Sequence, residues 1–166
     1  MSENSLLATN QFLTFKLEEE LFGLDIGKVR EVLDFTTVTK VPQTPDYMRG
    51  VINLRGSVIP VVDLRLKFGK TLAVPTVNTC VIIVEVDLGG ELVVMGAMAD
   101  AVQEVLDLDS DQIEPPPRMG AKLNLDFICG MGKHDDQFII ILDIDRVFSG
   151  DEAAALLGSD LLAANG

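Results

Sequence analysis

Residues 23–34 read GLDIGKVREVLD, and residues 96–107 read GAMADAVQEVLD. Six of these twelve positions are identical at an offset of 73: Gly23/Gly96, Val29/Val102, Glu31/Glu104, Val32/Val105, Leu33/Leu106 and Asp34/Asp107. Further along, Gly50, Ile59, Asp63 and Phe68 match Gly130, Ile139, Asp143 and Phe148 at an offset of 80. The additional residues of the second copy fall in the loop that carries Pro115-Pro116-Pro117. Self-similarity at a fixed period marks a duplicated structural unit. Each copy reads as strand, turn, strand, a Val-x-Glu-Val-Leu-Asp strand, linker, hairpin and helical turn. Roughly five short strands per copy suffice to close a small barrel and hide its edges. A barrel of about 60 residues is marginal alone, so the two are expected to share an apolar seam.

Outward from the repeat, the periodicity predicts strands at Gln11 to Leu17, Leu21 to Asp25, Thr79 to Val86, Glu91 to Met98 and Val102 to Leu108. Ile26, Val29 and Val32 recur every third residue, which suits one helical turn running into a strand. Thr36 to Val41 is β-rich, and Pro42 and Pro45 bracket a rigid connection. Phe127 to Met131 and Gln137 to Leu142 read as a hairpin over Gly132-Lys133-His134-Asp135-Asp136. Asp63 to Phe68 and Asp143 to Phe148 read as short helical turns. Lys70 to Asn78 is a connector, and Asp109 to Asn124 a long loop that its prolines keep out of regular pairing. A small helix is expected at Asp151 to Leu157.

The fold class is therefore all-β. Net charge is −13, and it is unevenly placed: residues 71–166 carry four Lys/Arg against seventeen Asp/Glu, while residues 1–70 balance. With 5% aromatic residues and no tryptophan, such a surface opposes nucleic-acid binding, and it opposes direct contact with anionic lipid. No apolar run approaches a membrane span, and the first residues lack the basic and apolar regions of a secretory signal. A cytoplasmic location is expected. Cys80 and Cys129 have no metal or redox spacing, and both are expected to be reduced and buried.

Chemistry is sparse. His134 is the one histidine, set in a turn beside two aspartates. Without a second histidine or a Gly-x-Ser-x-Gly elbow, a Ser/His/Asp apparatus has no visible parts. Asp107-x-Asp109-x-Asp111 begins like a calcium loop, but Gln112 and Arg118 stand where glycine and an acid are needed. No phosphate loop and no zinc set is present. The chain is expected not to be an enzyme, with no cofactor and no metal. A small β-barrel enzyme is the alternative of another class.

Residues 50–65 read GVINLRGSVIPVVDLR, two apolar β-branched runs around an Arg55-Gly56-Ser57 corner. This is a hairpin with one arginine at its tip. Arg55 is either a solvated charge or a recognition group offering five donors. Its repeat partner is Asp135, so the duplicated scaffold itself does not require an arginine there.

The run VPQTPDYMRGVINLRGSVIPVVDLRLKFG (41–69) resembles the signature stretch of the CheW family of chemotaxis coupling proteins. FGLDIGKVREVLD is similar to the first-half pattern of that family. GAMADAVQEVLDL and FICGMGKHDDQFIIILDIDRVF are similar to the second. The resemblance covers about 11–148. It implies two five-stranded SH3-like β-barrel subdomains, here 11–70 and 77–150 of a single domain 11–150, with tails at 1–10 and 158–166. It implies an adaptor that couples methyl-accepting chemoreceptors to the histidine kinase CheA, monomeric in isolation and assembled into rings in membrane-anchored receptor arrays. A coupling protein of an array outside flagellar chemotaxis is the alternative. By position, the receptor groove between the barrels would hold Leu13, Ile26, Val29, Val32, Arg55, Val102 and Val105. The kinase contact would fall on the first barrel, its residues unassigned.

Overall fold

The computed structural model describes residues 11–116 and 127–148. Among these residues, eleven strands form two sheets. In chain order they are β1 (Gln11–Leu17), β2 (Glu20–Asp25), β3 (Val29–Asp34), β4 (Met48–Leu54), β5 (Ser57–Asp63), β6 (Cys80–Leu88), β7 (Glu91–Ala99), β8 (Ala101–Asp107), β9 (Ile113–Glu114), β10 (Ile128–His134) and β11 (Gln137–Leu142). Helix α1 (Leu64–Lys67) follows β5, and α2 (Ile144–Val147) follows β11. Sheet A has the order β8-β1-β2-β11-β10-β9, and sheet B the order β3-β6-β7-β5-β4.

The sheets do not coincide with the halves of the chain. The hairpin β1–β2 belongs to sheet A with the later strands, and β6–β7 belongs to sheet B with β3, β4 and β5. The two repeats have exchanged their first hairpins, so a division at 11–70 and 77–150 cuts through both sheets. The exchange is symmetric. Ile141 lies opposite Gly23 in the parallel pair β11–β2, and Val61 lies opposite Gly96 in the parallel pair β5–β7. These are the same residues of the repeat, crossed. Each barrel closes the same way: the chain leaving one edge strand returns to the far edge. Thr39, after β3, bridges Val51 of β4, and β9, after β8, pairs with β10. Of the β-rich stretch 36–41, only that bridge is realised.

Three apolar cores result among the described residues. Ile52, Ile59, Val61, Val81, Ile83 and Met98 fill barrel B. Phe12, Leu106, Leu108, Ile139 and Ile141 fill barrel A. The largest lies between them and takes the opposite faces of β1, β2, β6 and β7: Leu13, Phe15, Leu17, Phe22, Leu24, Ile82, Val84, Val86, Met95 and Ala97 among others. Residues of a strand alternate between faces, so CVIIVEVDL is apolar on both because one face lines a barrel and the other the seam. Rings of Phe15, Phe22, Phe68 and Phe127 stack across the seam at 5.7, 5.8 and 5.1 Å between successive centroids.

Turn chemistry explains the hairpins. Arg55 and Gly56 have φ of 51° and 88°, and Asp135 and Asp136 have φ of 50° and 63°, the left-handed pair that a tight two-residue hairpin needs. The second turn is only Asp135-Asp136; Gly132, Lys133 and His134 remain in β10, which begins at Ile128. Gly132 serves packing instead, since a Cβ there would stand 2.8 Å from Leu108 Cδ1. Gly50 sits at a bulge with φ +143°, where a Cβ would lie 2.2 Å from the Thr39 carbonyl oxygen. Cys129 occupies the matching bulge of β10 and is exposed, contrary to expectation, because the extra residue is turned out of the ladder. Cys80 is buried, and burial pushes its thiol up to about 11. The expected helix at 151–157 lies outside the described residues.

Candidate functional site

The seam core reaches the surface along β3 and β8. Residues directly opposite in an antiparallel pair point to one face. Val29 faces Val84, Val32 faces Ile82, Val102 faces Phe15 and Val105 faces Leu13, and all four partners belong to the seam core. The repeat-equivalent valines therefore flank one seam. Leu13 is buried within it at 6% exposure, and Ile26, Val29 and Val102 pack half-buried against it. Val32 and Val105 stay 42% and 46% exposed. The six apolar residues expected in a groove thus divide into a floor and an accessible margin.

Arg55 stands differently. Its Nη1 and Nη2 donate to Glu31 Oε2 and Oε1 at 2.8 and 2.9 Å, a bidentate fork. Glu31 lies opposite Ile83, which fills barrel B, so its side chain leaves β3 on the face away from Val32. Arg55 bridges the end of barrel B, and its side chain remains 70% exposed. The hydrogen bond from Arg55 holds the Glu31 carboxyl below the ordinary carboxylate range, and Glu31 in turn raises the guanidinium. Glu31 is a residue the groove reading missed. The signal for it was its identity in both repeats, while its partner at the β4–β5 hairpin tip was not repeated.

The seam is clasped at both sides. Asp63 caps α1, accepting from the Arg65 and Leu66 amides, and Asp143 caps α2, accepting from the Asp145 and Arg146 amides. Two residues past each cap, a side chain reaches across the seam. Arg65 donates to Asp100 at 2.7 Å and Glu18 at 3.1 Å. Its repeat equivalent, Asp145, accepts from Lys28 at 2.9 Å and from the Asp87 amide at 2.8 Å. Lys70 adds bonds to Glu18 and Glu20. Burial pulls the Lys28 ammonium down, but the hydrogen bond and charge of Asp145, with Asp143 and Asp87 behind, outweigh it and raise it. The clasps have opposite polarity at equivalent positions. A site of this make-up, apolar strips on a clasped seam, suits recognition of a protein surface. Among the described residues, no helix is long and apolar enough to cross a membrane.

Comparison with known proteins agrees with this architecture. The CheW-like domain matches residues 11–152. The chemotaxis protein CheW of Klebsiella aerogenes is 38% identical over 144 residues, 87% of this chain and 84% of that protein. The probable chemotaxis protein CheW of Rhizobium etli is 32% identical over 145 residues, 87% of this chain and 91% of that protein. The crystal structure of the scaffolding protein TtCheW from Thermoanaerobacter tengcongensis superposes with a TM-score of 0.74 at 39% identity, covering 86% of this chain and 94% of that one. With its duplicated barrels, shared seam and matched sequence over nearly the whole described chain, this protein belongs to the CheW-like family.

Proposed function

We propose that this chain is a non-enzymatic adaptor of chemotaxis signal transduction that bridges chemoreceptors to the kinase CheA in the cytoplasm. The observation that supports it, beside family membership, is the pair Val32 and Val105: repeat-equivalent, half-exposed and continuous with the seam core. A helical hairpin of a receptor tip would lay apolar side chains on this margin, with Ile26, Val29 and Val102 behind it and Leu13 as floor. Burying each valine would contribute about 1.5 kcal/mol at most, given what is already covered. Arg55 acts through Glu31, holding the β4–β5 hairpin against β3, rather than by reaching into the groove. The kinase regulatory domain would take the first barrel, at residues not assigned. Weak single contacts suffice when many copies assemble into a ring, because linked binding is multivalent.

The test is a pair of pull-downs with the full chain, one using a receptor cytoplasmic fragment and one the kinase regulatory domain. Val32→Asp with Val105→Asp is expected to lose the receptor fragment and keep the kinase domain, with a melting midpoint close to wild type. Retention of both partners by the folded double variant would remove the seam margin as the receptor face.

A further inference from the structure

The described chain changes sheets at two places, and both crossovers are short. Residues 26–28 lie between β2 of sheet A and β3 of sheet B, and Asp100 alone lies between β7 of sheet B and β8 of sheet A. Each crossover is held in a three-way junction. One partner is the second residue of a short helix, Arg65 of α1 or Asp145 of α2. The next is the crossover residue, Asp100 or Lys28. The last is a backbone amide where the first hairpin of a repeat nears its turn: Glu18 donates to Asp100 Oδ2 at 2.7 Å, and Asp87 to Asp145 Oδ1 at 2.8 Å. Glu18 and Asp87 are equivalent by register, each four residues past the strand residue opposite Gly23 or Gly96. Only the polarity differs. The carboxylate sits on the crossover in one junction and on the helix in the other, and in both it takes the cation and the amide together.

The seam between the barrels is apolar, and apolar contact is non-directional. Packed faces of this kind can slide, with short segments at element ends absorbing the rotation. Charge-assisted hydrogen bonds instead fix distance and direction. Val29 follows Lys28 directly, and Val102 lies two residues past Asp100, so each valine row begins at a junction. We infer that Lys28–Asp145 and Arg65–Asp100 are positioning pairs that lock the angle between the barrels, and with it the separation of the Val32 and Val105 rows. The Lys28 junction is the weaker lock. Lys28 is bonded to Asp145, whereas Arg65 bonds Asp100, Glu18 and the Thr71 carbonyl together. The lock is a property of the protein alone; only its bearing on receptor contact rests on the adaptor reading.

Nitroxide labels at Ser57→Cys and Gln137→Cys, the exposed first residues of β5 and β11, would report the separation of the barrels by pulsed electron paramagnetic resonance. The full chain would carry Cys129→Ser, since Cys129 is exposed and Cys80 buried. Labels at Lys40→Cys and Ser57→Cys give a control distance on barrel B. Wild type should show one narrow distribution between barrels. Lys28→Met should shift and broaden it with the control distance unchanged, and Lys28→Arg should restore it. Asp145→Asn, which keeps an oxygen for the Asp87 amide, should act like Lys28→Met. An unchanged distribution between barrels in both folded variants, or equal broadening of the control pair, would overturn the inference. A receptor cytoplasmic fragment should bind Lys28→Met several-fold more weakly than wild type. Unchanged binding beside a shifted distribution would strike the adaptor reading of the groove and leave the lock standing.

Discussion

At the scale of single residues, Glu31 and Glu104 show how one side chain takes two roles from its surroundings. Glu31 carries a bidentate arginine. The carboxylate of Glu104 faces an open cavity, and its backbone is tied to the Thr14 hydroxyl at 2.7 and 3.1 Å. The lowered folded value of Glu31 has a defined sign. A depressed carboxyl favours the folded chain above its unfolded value, and that contribution disappears as pH falls through the folded value. Arg55→Gln should move the Glu31 midpoint up into the ordinary carboxylate range in a carboxyl-detected NMR titration. An unchanged midpoint would mean that the fork does not persist in solution. The pair is exposed, so the variant's melting midpoint should barely move.

At the scale of elements, the two short helical turns were legible. Asp63 and Asp143, both followed by short helices, occupy equivalent places, and each backbone amide also bonds an aromatic residue's carbonyl, Tyr47 at 2.7 Å and Phe127 at 2.8 Å. The two caps differ in burial. Asp63 is buried and pairs with Arg49 at 3.2 Å, whereas Asp143 is partly open. Asp63→Ala loses a cap and strands a charge, so it should cost about 3 kcal/mol. Asp143→Ala should cost about 1 kcal/mol. Urea melts of the two variants check the ordering, and equal losses would show that burial does not separate them. The turn at 132–136 was misplaced because glycine signals both turns and close packing. Only the tertiary neighbour Leu108 distinguishes them. The same limit hid β9, whose two residues have no pattern of their own and pair because β10 lies alongside.

At the scale of the whole molecule, the exchange of first hairpins makes the two repeats interdependent. Neither half owns a complete sheet, because β1 and β2 complete sheet A and β6 and β7 complete sheet B. A chain cut within the connector 70–78 should therefore behave as two complementary pieces. Residues 1–74 alone should show no cooperative melt, and residues 75–166 likewise. Mixing them should restore a single transition, read by circular dichroism. Independent folding of the first piece would contradict the exchanged pairing. The ion-pair clasps from Arg65 and Asp145 add to the same cohesion across the seam.

The duplication, every strand but β9 and the β class followed from the sequence alone, because they rest on local patterns: period-two burial, turn residues and self-similarity. The partner of each strand did not. The first hairpin of either repeat buries residues on both faces, so its local pattern does not say which barrel it completes. The choice, like the pairing of Arg55 with Glu31 and the open end beside Asp135, belongs to long-range packing, where positions 24 or more apart in the chain meet.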